Sequence, residues 1–216
     1  SGIIRYCKII DDSTSYVDQG GRRPGATTLS LRDCHFDFPE FVLLVDKIGE
    51  EENRVKKCDI SLMMSDLFFK RLETPDSMWT LFCPHQTGKL FDLWGEEFEK
   101  EYIRYEKLAE TWKEYSKYLI LKKSRSLTKE NVTLFKTLSA RFNGINKITA
   151  PQKIICRQFK TQALMDEITR VQTQFSKGYI AHGCNINRKN AMSNQGPVRS
   201  LNLCQEIAIP AVVKEQ

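Results

Sequence analysis

No apolar run in this chain approaches the roughly 18 residues that a membrane-spanning helix requires, and its first residues, SGIIRYCKIIDD, lack the basic, apolar and small-residue succession of a secretory signal. A membrane partner is therefore not expected, and the cytoplasm is the expected compartment. Histidine is scarce: only His35, His85 and His182 are available, none in a recognisable motif with a cysteine, which argues against a thiol protease. The seven cysteines, Cys7, Cys34, Cys58, Cys83, Cys156, Cys184 and Cys204, include no CxxC pair and no Cys/His spacing suited to zinc. No metal site is expected in the chain, and an odd, dispersed set fits reduced thiols in an intracellular compartment. Low-complexity tracts are missing too, which argues against wholesale disorder.

What is present suits one domain over 1–216, because 41% hydrophobic residues in 216 suffice for a sizeable core. The formal net charge of +6 favours anionic partners such as nucleotides or acidic protein tails. Its densest patch, Lys122, Lys123 and Arg125 with Lys129 following, has none of the interleaved aromatics on which single-stranded bases stack. That patch reads as a solvated face, and no nucleic-acid partner is expected.

Along the chain, ATTLSL (26–31) is β-branched and alternating and reads as a strand. Phe38, Phe41, Val45 and Ile48 then fall at helical spacing, with Pro39 in the first turn and Gly49 at the end. Ile60 to Met64 reads as a second strand, followed by a short helix capped by Asp66, and Trp79 to Phe82 as a third strand stopped by Pro84. Apolar and aromatic residues from Phe91 to Leu119 recur every three or four positions, the stripe of a long helix, and such a stripe is core rather than a cofactor box. Residues 124–150 have mixed periodicity and read as an insertion or irregular excursion. Helix resumes through Leu164, Ile168, Val171 and Phe175 up to Gly178, and Tyr179 to Ala181 begins another strand. Alternating strands and helices imply parallel pairing and an α/β fold, with an open sheet and a barrel both compatible.

Two segments could carry chemistry. In Gln19-Gly20-Gly21-Arg22-Arg23-Pro24-Gly25 the glycines let backbone approach a ligand and the arginines offer planar forks for phosphate or base edges. A surface turn with solvated arginines has the same spelling. In Asn202-Leu203-Cys204-Gln205-Glu206 an extended backbone would put Asn202, Cys204 and Glu206 on one face, an amide, a thiol and a carboxylate together. Such a set can act on a hydroxyl-bearing substrate, with the thiol as nucleophile or as hydrogen-atom donor and acceptor. A structural cysteine in a strand with solvated polar neighbours is the alternative.

QGGRRPGATTLSL, HFDFPEFVLL, NRVKKCDISLMMSDLFFKRL, WTLFCP and LWGEEFEKEYIRYEKLAE follow one another in an order that resembles the large, catalytic subunit of class I ribonucleotide reductases. A further stretch, PVRSLNLCQEIAIP, resembles that family's active-site finger loop. The resemblance implies part of a ten-stranded α/β barrel in which ribonucleoside diphosphates are reduced by a thiyl radical on Cys204. It makes Glu206 the base toward the ribose 3′-hydroxyl and Asn202 the amide that binds the sugar. Gln19, Gly20, Gly21, Arg22 and Arg23 correspond to the mobile loop linking ATP or dNTP effectors to the substrate base. It further implies a radical-generating small subunit with a metal cofactor of diiron type, no covalently bound cofactor, a thioredoxin- or glutaredoxin-type dithiol reductant, and complementary large-subunit segments.

The sequence departs from the family at Leu201, where a small polar residue is usual, and the connection through 124–150 is longer. Neither Cys156 nor Cys184 matches the reducing thiols. The expectation is thus a segment inactive by itself; the alternatives are a non-catalytic remnant serving as a nucleotide-binding or interaction module, and an unrelated α/β binding domain.

Overall fold

A computed structural model describes residues 2–17, 21, 24–46, 48, 54–124, 128–145 and 149–210. Its elements are α1 (Ile3–Tyr16), β1 (Thr27–Arg32), α2 (Phe38–Val42), β2 (Cys58–Met64), α3 (Asp66–Leu72), β3 (Met78–Phe82), α4 (Pro84–Thr87), α5 (Gly95–Lys123), α6 (Lys129–Phe142), β4 (Cys156–Lys160), α7 (Thr161–Phe175), β5 (Tyr179–His182) and α8 (Gly183–Arg188). β1, β2 and β5 form a parallel sheet in that order, while β3 and β4 pair antiparallel as a separate ribbon. The fold is α/β as expected. Among the described residues it is an open arrangement, not a closed barrel.

Alternation along the strands gives the parallel sheet two different faces. One face carries Cys58, Ile60, Leu62 and Met64 of β2, with Leu29, Leu31 and Ile180 beside them, and this face joins the main hydrophobic core. Register puts Thr28, Ser30 and Arg32 of β1 with Asp59, Ser61 and Met63 of β2 and Tyr179 and Ala181 of β5 on the other. That second face is mostly polar, and the candidate site sits on it.

The core is closed by aromatic residues whose polar tips find backbone partners, as burial requires. Trp79 stacks on Tyr102 at 4.6 Å between ring centroids, Phe68 meets Trp79 edge-on at 5.1 Å, and all three are buried. The Trp79 indole N–H donates to the Asp33 carbonyl (2.8 Å), and the Tyr102 hydroxyl accepts from the Thr80 N–H (2.6 Å) and donates to the Thr80 carbonyl (2.9 Å). Helix α7 adds Leu164, Ile168 and Val171 at i, i+4 and i+7, and packs against α2 and α3.

Helix α1 is joined to β2 mainly through one carboxylate. Asp11 Oδ1 accepts from the N–H groups of Lys56 (3.0 Å), Lys57 (2.7 Å) and Cys58 (2.8 Å), and its Oδ2 also accepts from Lys56 (2.9 Å). Burial opposes ionisation of Asp11, yet those backbone donors, with Lys8 nearby, hold its carboxyl below the usual range.

Several local expectations need correction. The apolar periodicity through Ile48 stops early, since α2 tightens into a 3-10 turn at Leu43–Val45 and Ile48 is exposed; Gly49 lies outside the described residues. Ser65, not Asp66, caps α3: its hydroxyl accepts from the Phe68 N–H at 3.4 Å and donates to Asp33 at 2.6 Å. The long helix begins at Gly95, so Phe91 precedes it in a 3-10 turn. The stretch read as an insertion or irregular segment holds a regular helix, α6, whose Leu138 and Phe142 pack on Tyr115 and Tyr118 of α5 in a small core of their own. β3, expected among parallel strands, instead pairs antiparallel with β4, a strand that pattern reading missed.

Candidate functional site

The sheet's polar face is crossed by the segment after α8, and a single side chain fixes where that segment starts. Asn187 Oδ1 accepts from the Val198 N–H (2.8 Å), while its Nδ2 donates to the carbonyls of Val198 (3.1 Å) and Gly183 (3.0 Å). Val198 is fully buried. Next to it, Arg199 pairs with Asp92 at 2.7 Å, tying the segment to the 3-10 turn before α5. The same turn is held from β1. Arg32 Nη1 donates to the carbonyls of Phe91 (3.1 Å) and Leu93 (2.8 Å), and its guanidinium lies 3.4 Å from the Trp94 ring centre. Gly183 lies against the same indole; a Cβ there would come within 2.0 Å of the ring.

Beyond this anchor the chain turns back on itself. The Gln205 N–H donates to the Asn202 carbonyl (3.1 Å), the Asn202 N–H to the Ile207 carbonyl (3.4 Å), and the Ile207 N–H to Asn202 Oδ1 (2.8 Å). Gln205 has φ +68°, left-handed, and its Nε2 donates to the Asn202 carbonyl at 3.1 Å. Two strand hydroxyls hold the turn down: Thr28 Oγ1 donates to the Leu203 carbonyl (3.0 Å) and Ser61 Oγ to Gln205 Oε1 (2.8 Å).

This geometry corrects the expectation of an extended segment with one reactive face. Asn202, Cys204 and Glu206 do lie together, but on one tight turn, with the thiol and carboxylate at exposed positions and Asn202 half-buried. The Asn202 amide oxygen is committed to closing the turn, which leaves Nδ2 as its group for a ligand. The other cysteines differ. Cys7, Cys34, Cys58 and Cys184 are buried, Cys83 and Cys156 are half-buried, and all seven are free thiols. Burial pushes the Cys34 thiol up to about 12 and the Cys7 thiol up to about 11. Cys184 Sγ accepts the Asp66 N–H at 3.3 Å.

Of the glycine and arginine loop, Gln19, Gly20, Arg22 and Arg23 lie outside the described residues, and Gly21 is exposed with φ +73°. The downstream end of this loop is close to α1: a Cβ on Gly25 would fall 2.5 Å from the Val17 carbonyl oxygen and 2.6 Å from that of Thr14. A cleft of about 290 Å³ lies there, lined by Ile10, Thr14, Val17, Gly25 and Thr27 among others. Thr28, which holds the Cys204 turn, follows three residues after Gly25. Among the described residues no cluster of three or more His, Cys, Asp or Glu is arranged to hold a metal ion, and no helix is long and apolar enough to cross a membrane.

A family model described as "Ribonucleotide reductase, barrel domain" matches residues 1–215. The chain belongs to the ribonucleotide reductase barrel family. It is similar to the ribonucleoside-diphosphate reductase large chain of Neurospora crassa, 31% identical over 96% of this chain and 18% of that protein. The large subunit from Danio rerio is also 31% identical, over 96% of this chain and 20% of its own length, and subunit alpha from Helicobacter pylori is 31% identical over 96% and 21%. The chain therefore spans about a fifth of the length of the curated relatives it matches.

Family membership extends the resemblance seen in the two quoted regions to nearly the whole chain, including 124–195, where no motif was legible. In this reductase-family segment the residues that sequence reasoning missed are those that hold the turn: Asn187, Gln205, Thr28 and Ser61. Ser61 is fully buried, flanked by Ile60 and Leu62 in a mostly apolar strand, the one signal that marked it. Asn187 is spelled like its neighbours in an asparagine-rich stretch and carried none.

Proposed function

We propose that this chain is a catalytic segment of a ribonucleoside-diphosphate reductase, with Cys204 as the thiol whose radical form removes the 3′ hydrogen atom of the ribose. The observation that carries this reading is the turn Asn202–Ile207, which presents an exposed thiol, a carboxylate and an amide N–H₂ on the polar face of a parallel sheet in a chain of the reductase family. The thiyl sulfur takes the 3′ hydrogen with one electron and becomes a thiol. Glu206 accepts the 3′-hydroxyl proton, and Asn202 Nδ2 donates to a sugar oxygen. Replacing a ribose C–OH by C–H consumes two electrons and two protons, releases water, and leaves a dithiol reductant of thioredoxin or glutaredoxin type as a disulfide. A small subunit with a metal cofactor of diiron type supplies the oxidising equivalent that makes the radical. Gln19 to Arg23 form the loop through which ATP or dNTP effectors select the base. Complementary large-subunit segments complete the barrel, and the assembly works in the cytoplasm.

A second reading, a nucleotide-binding or interaction module without turnover, draws on the commitment of Asn202 Oδ1 to the turn and on Leu201. Conversion of CDP to dCDP by the complete assembly decides between them. Cys204→Ser is expected to remove turnover altogether and Glu206→Gln to lower it about 10²–10⁴-fold, the range for loss of a general base. Equal turnover in wild type and Cys204→Ser, or none from a well-folded wild-type assembly, overturns the catalytic reading.

A further inference from the structure

The turn that carries Cys204 owes its place to side chains rather than to a sheet ladder. Its own backbone makes two internal hydrogen bonds, Gln205 N–H to Asn202 C=O and Asn202 N–H to Ile207 C=O. Among the described residues, the other attachments to the fold run through amides, hydroxyls and the Arg199–Asp92 ion pair. At the stem, Asn187 clasps Val198 from both sides, accepting its N–H and donating to its carbonyl, while bonding back to Gly183 in the first turn of α8. Three residues separate Val198 from Asn202, a reach of at most about 3.5 Å per residue, so whatever fixes Val198 limits where the turn can stand. At the tip, Gln205 occupies a left-handed backbone conformation that a non-glycine residue keeps only when its surroundings over-determine it. The surroundings are its own side chain: Oε1 takes the hydroxyl of buried Ser61 and Nε2 returns to the Asn202 carbonyl.

We propose that Asn187 and Gln205 are positioning residues that set the height and register of the Cys204 turn over the sheet, one from its stem and one from its tip. The proposal rests on the reading of Cys204 as the reacting thiol. Hydrogen-atom transfer demands close approach of sulfur and the ribose carbon, and a displacement near 1 Å can cost about 10²-fold in rate. Neither residue touches substrate in this scheme; each acts through the turn.

Hydrogen exchange by mass spectrometry on the full chain, in wild type, Asn187→Asp and Gln205→Gly, tests the placement without requiring turnover. Asn187→Asp preserves shape but sets a carboxylate oxygen against the Val198 and Gly183 carbonyls. Gln205→Gly relieves the left-handed backbone and removes the whole side chain, and with it the amide bonds to Ser61 and Asn202. Both variants are expected to exchange about tenfold faster in a peptide covering 196–207, with β1 and β2 unchanged. In the complete assembly kcat for CDP reduction should fall about 10²-fold with KM retained. Unchanged exchange over 196–207 in both variants overturns the proposal, as does faster exchange with wild-type kcat. If Asn187→Asp loosens the whole chain, the Gln205→Gly result decides alone. Faster local exchange in a chain whose wild-type assembly reduces no CDP would leave the clamp standing and remove the catalytic reading on which its purpose rests.

Discussion

Replacing Asp11 by asparagine isolates one of the contacts that attach α1 to the sheet, Thr14 supplying others to Thr27 and Cys58. The carboxylate receives three backbone N–H groups, from Lys56, Lys57 and Cys58, at 2.7–3.0 Å, and is 1% exposed. An asparagine amide offers one acceptor oxygen and turns an N–H₂ toward one of those donors. The Lys56 N–H, which also reaches Oδ2, then faces an N–H₂ donor, and all three N–H groups lose a charged acceptor, an expected cost of about 3 kcal/mol from the usual values for such hydrogen bonds. The pH dependence carries a sign. The folded carboxyl titrates below the unfolded value, about 3.9, so its contribution is fully present above the unfolded pKa and disappears as pH falls through the lower, folded one. Urea unfolding of wild type and Asp11→Asn from pH 7 to pH 2.5 should show a wide gap in midpoint at neutral pH that narrows below about pH 4. Other acidic groups titrate alike in both proteins and cancel in the difference. A gap that is absent at pH 7, or constant over the range, would refute the reasoning.

Asp33 should behave in the opposite sense. Burial raises its folded carboxyl above the unfolded value, though Arg32 and Ser65 oppose the shift, so wild type loses stability as pH rises through the unfolded pKa toward the folded one. Asp33→Asn should therefore gain on wild type between pH 3 and pH 7, and parallel urea curves at both pH values would contradict this. Gly183→Ala puts a methyl 2.0 Å from the Trp94 ring, an overpacking expected to cost at least about 1–3 kcal/mol and to change Trp94 fluorescence; an unaltered melting curve would count against the stacked arrangement. In a timed iodoacetamide reaction on the native chain, Cys204, exposed, should label well before Cys34, whose buried thiol is pushed up to about 12. Equal rates would contradict the exposed turn.

The sequence made the parallel strands legible because β1 and β2 are short and apolar on one face, with β-branched residues in β1, a pattern that survives any tertiary context. Helix α7 was legible for the same kind of reason, its apolar stripe being long and regular. β4 was not, because CRQFK alternates with charge and lies at the edge of a ribbon with exposed positions, so burial writes little into it. Helix α6 was missed because its apolar face rests on a small side core against α5, and four of its fourteen residues are Asn, Ser or Thr, which lower helical propensity. At the candidate site the residue types were legible and their shape was not. Spacing by two implies one face only if the backbone is extended, and here Gln205 reverses it.

That reversal gives Asn202 two duties that one substitution can separate. Its Oδ1 accepts the Ile207 N–H at 2.8 Å and closes the turn, while its Nδ2 is the donor proposed to meet the ribose. Asn202→Asp retains an oxygen for Ile207 and loses the N–H₂, whereas Asn202→Ala loses both. Removing one such hydrogen bond, about 1 kcal/mol, corresponds to roughly a fivefold change in local opening. Exchange of the Ile207 amide should thus stay near wild type in Asn202→Asp and rise about fivefold in Asn202→Ala, while CDP reduction falls in both. Should Asn202→Asp exchange as fast as Asn202→Ala, the oxygen does not close the turn. If instead it reduces CDP at the wild-type rate, the N–H₂ group has no part in holding the sugar, and Asn202 serves the site only by shaping the turn that presents Cys204.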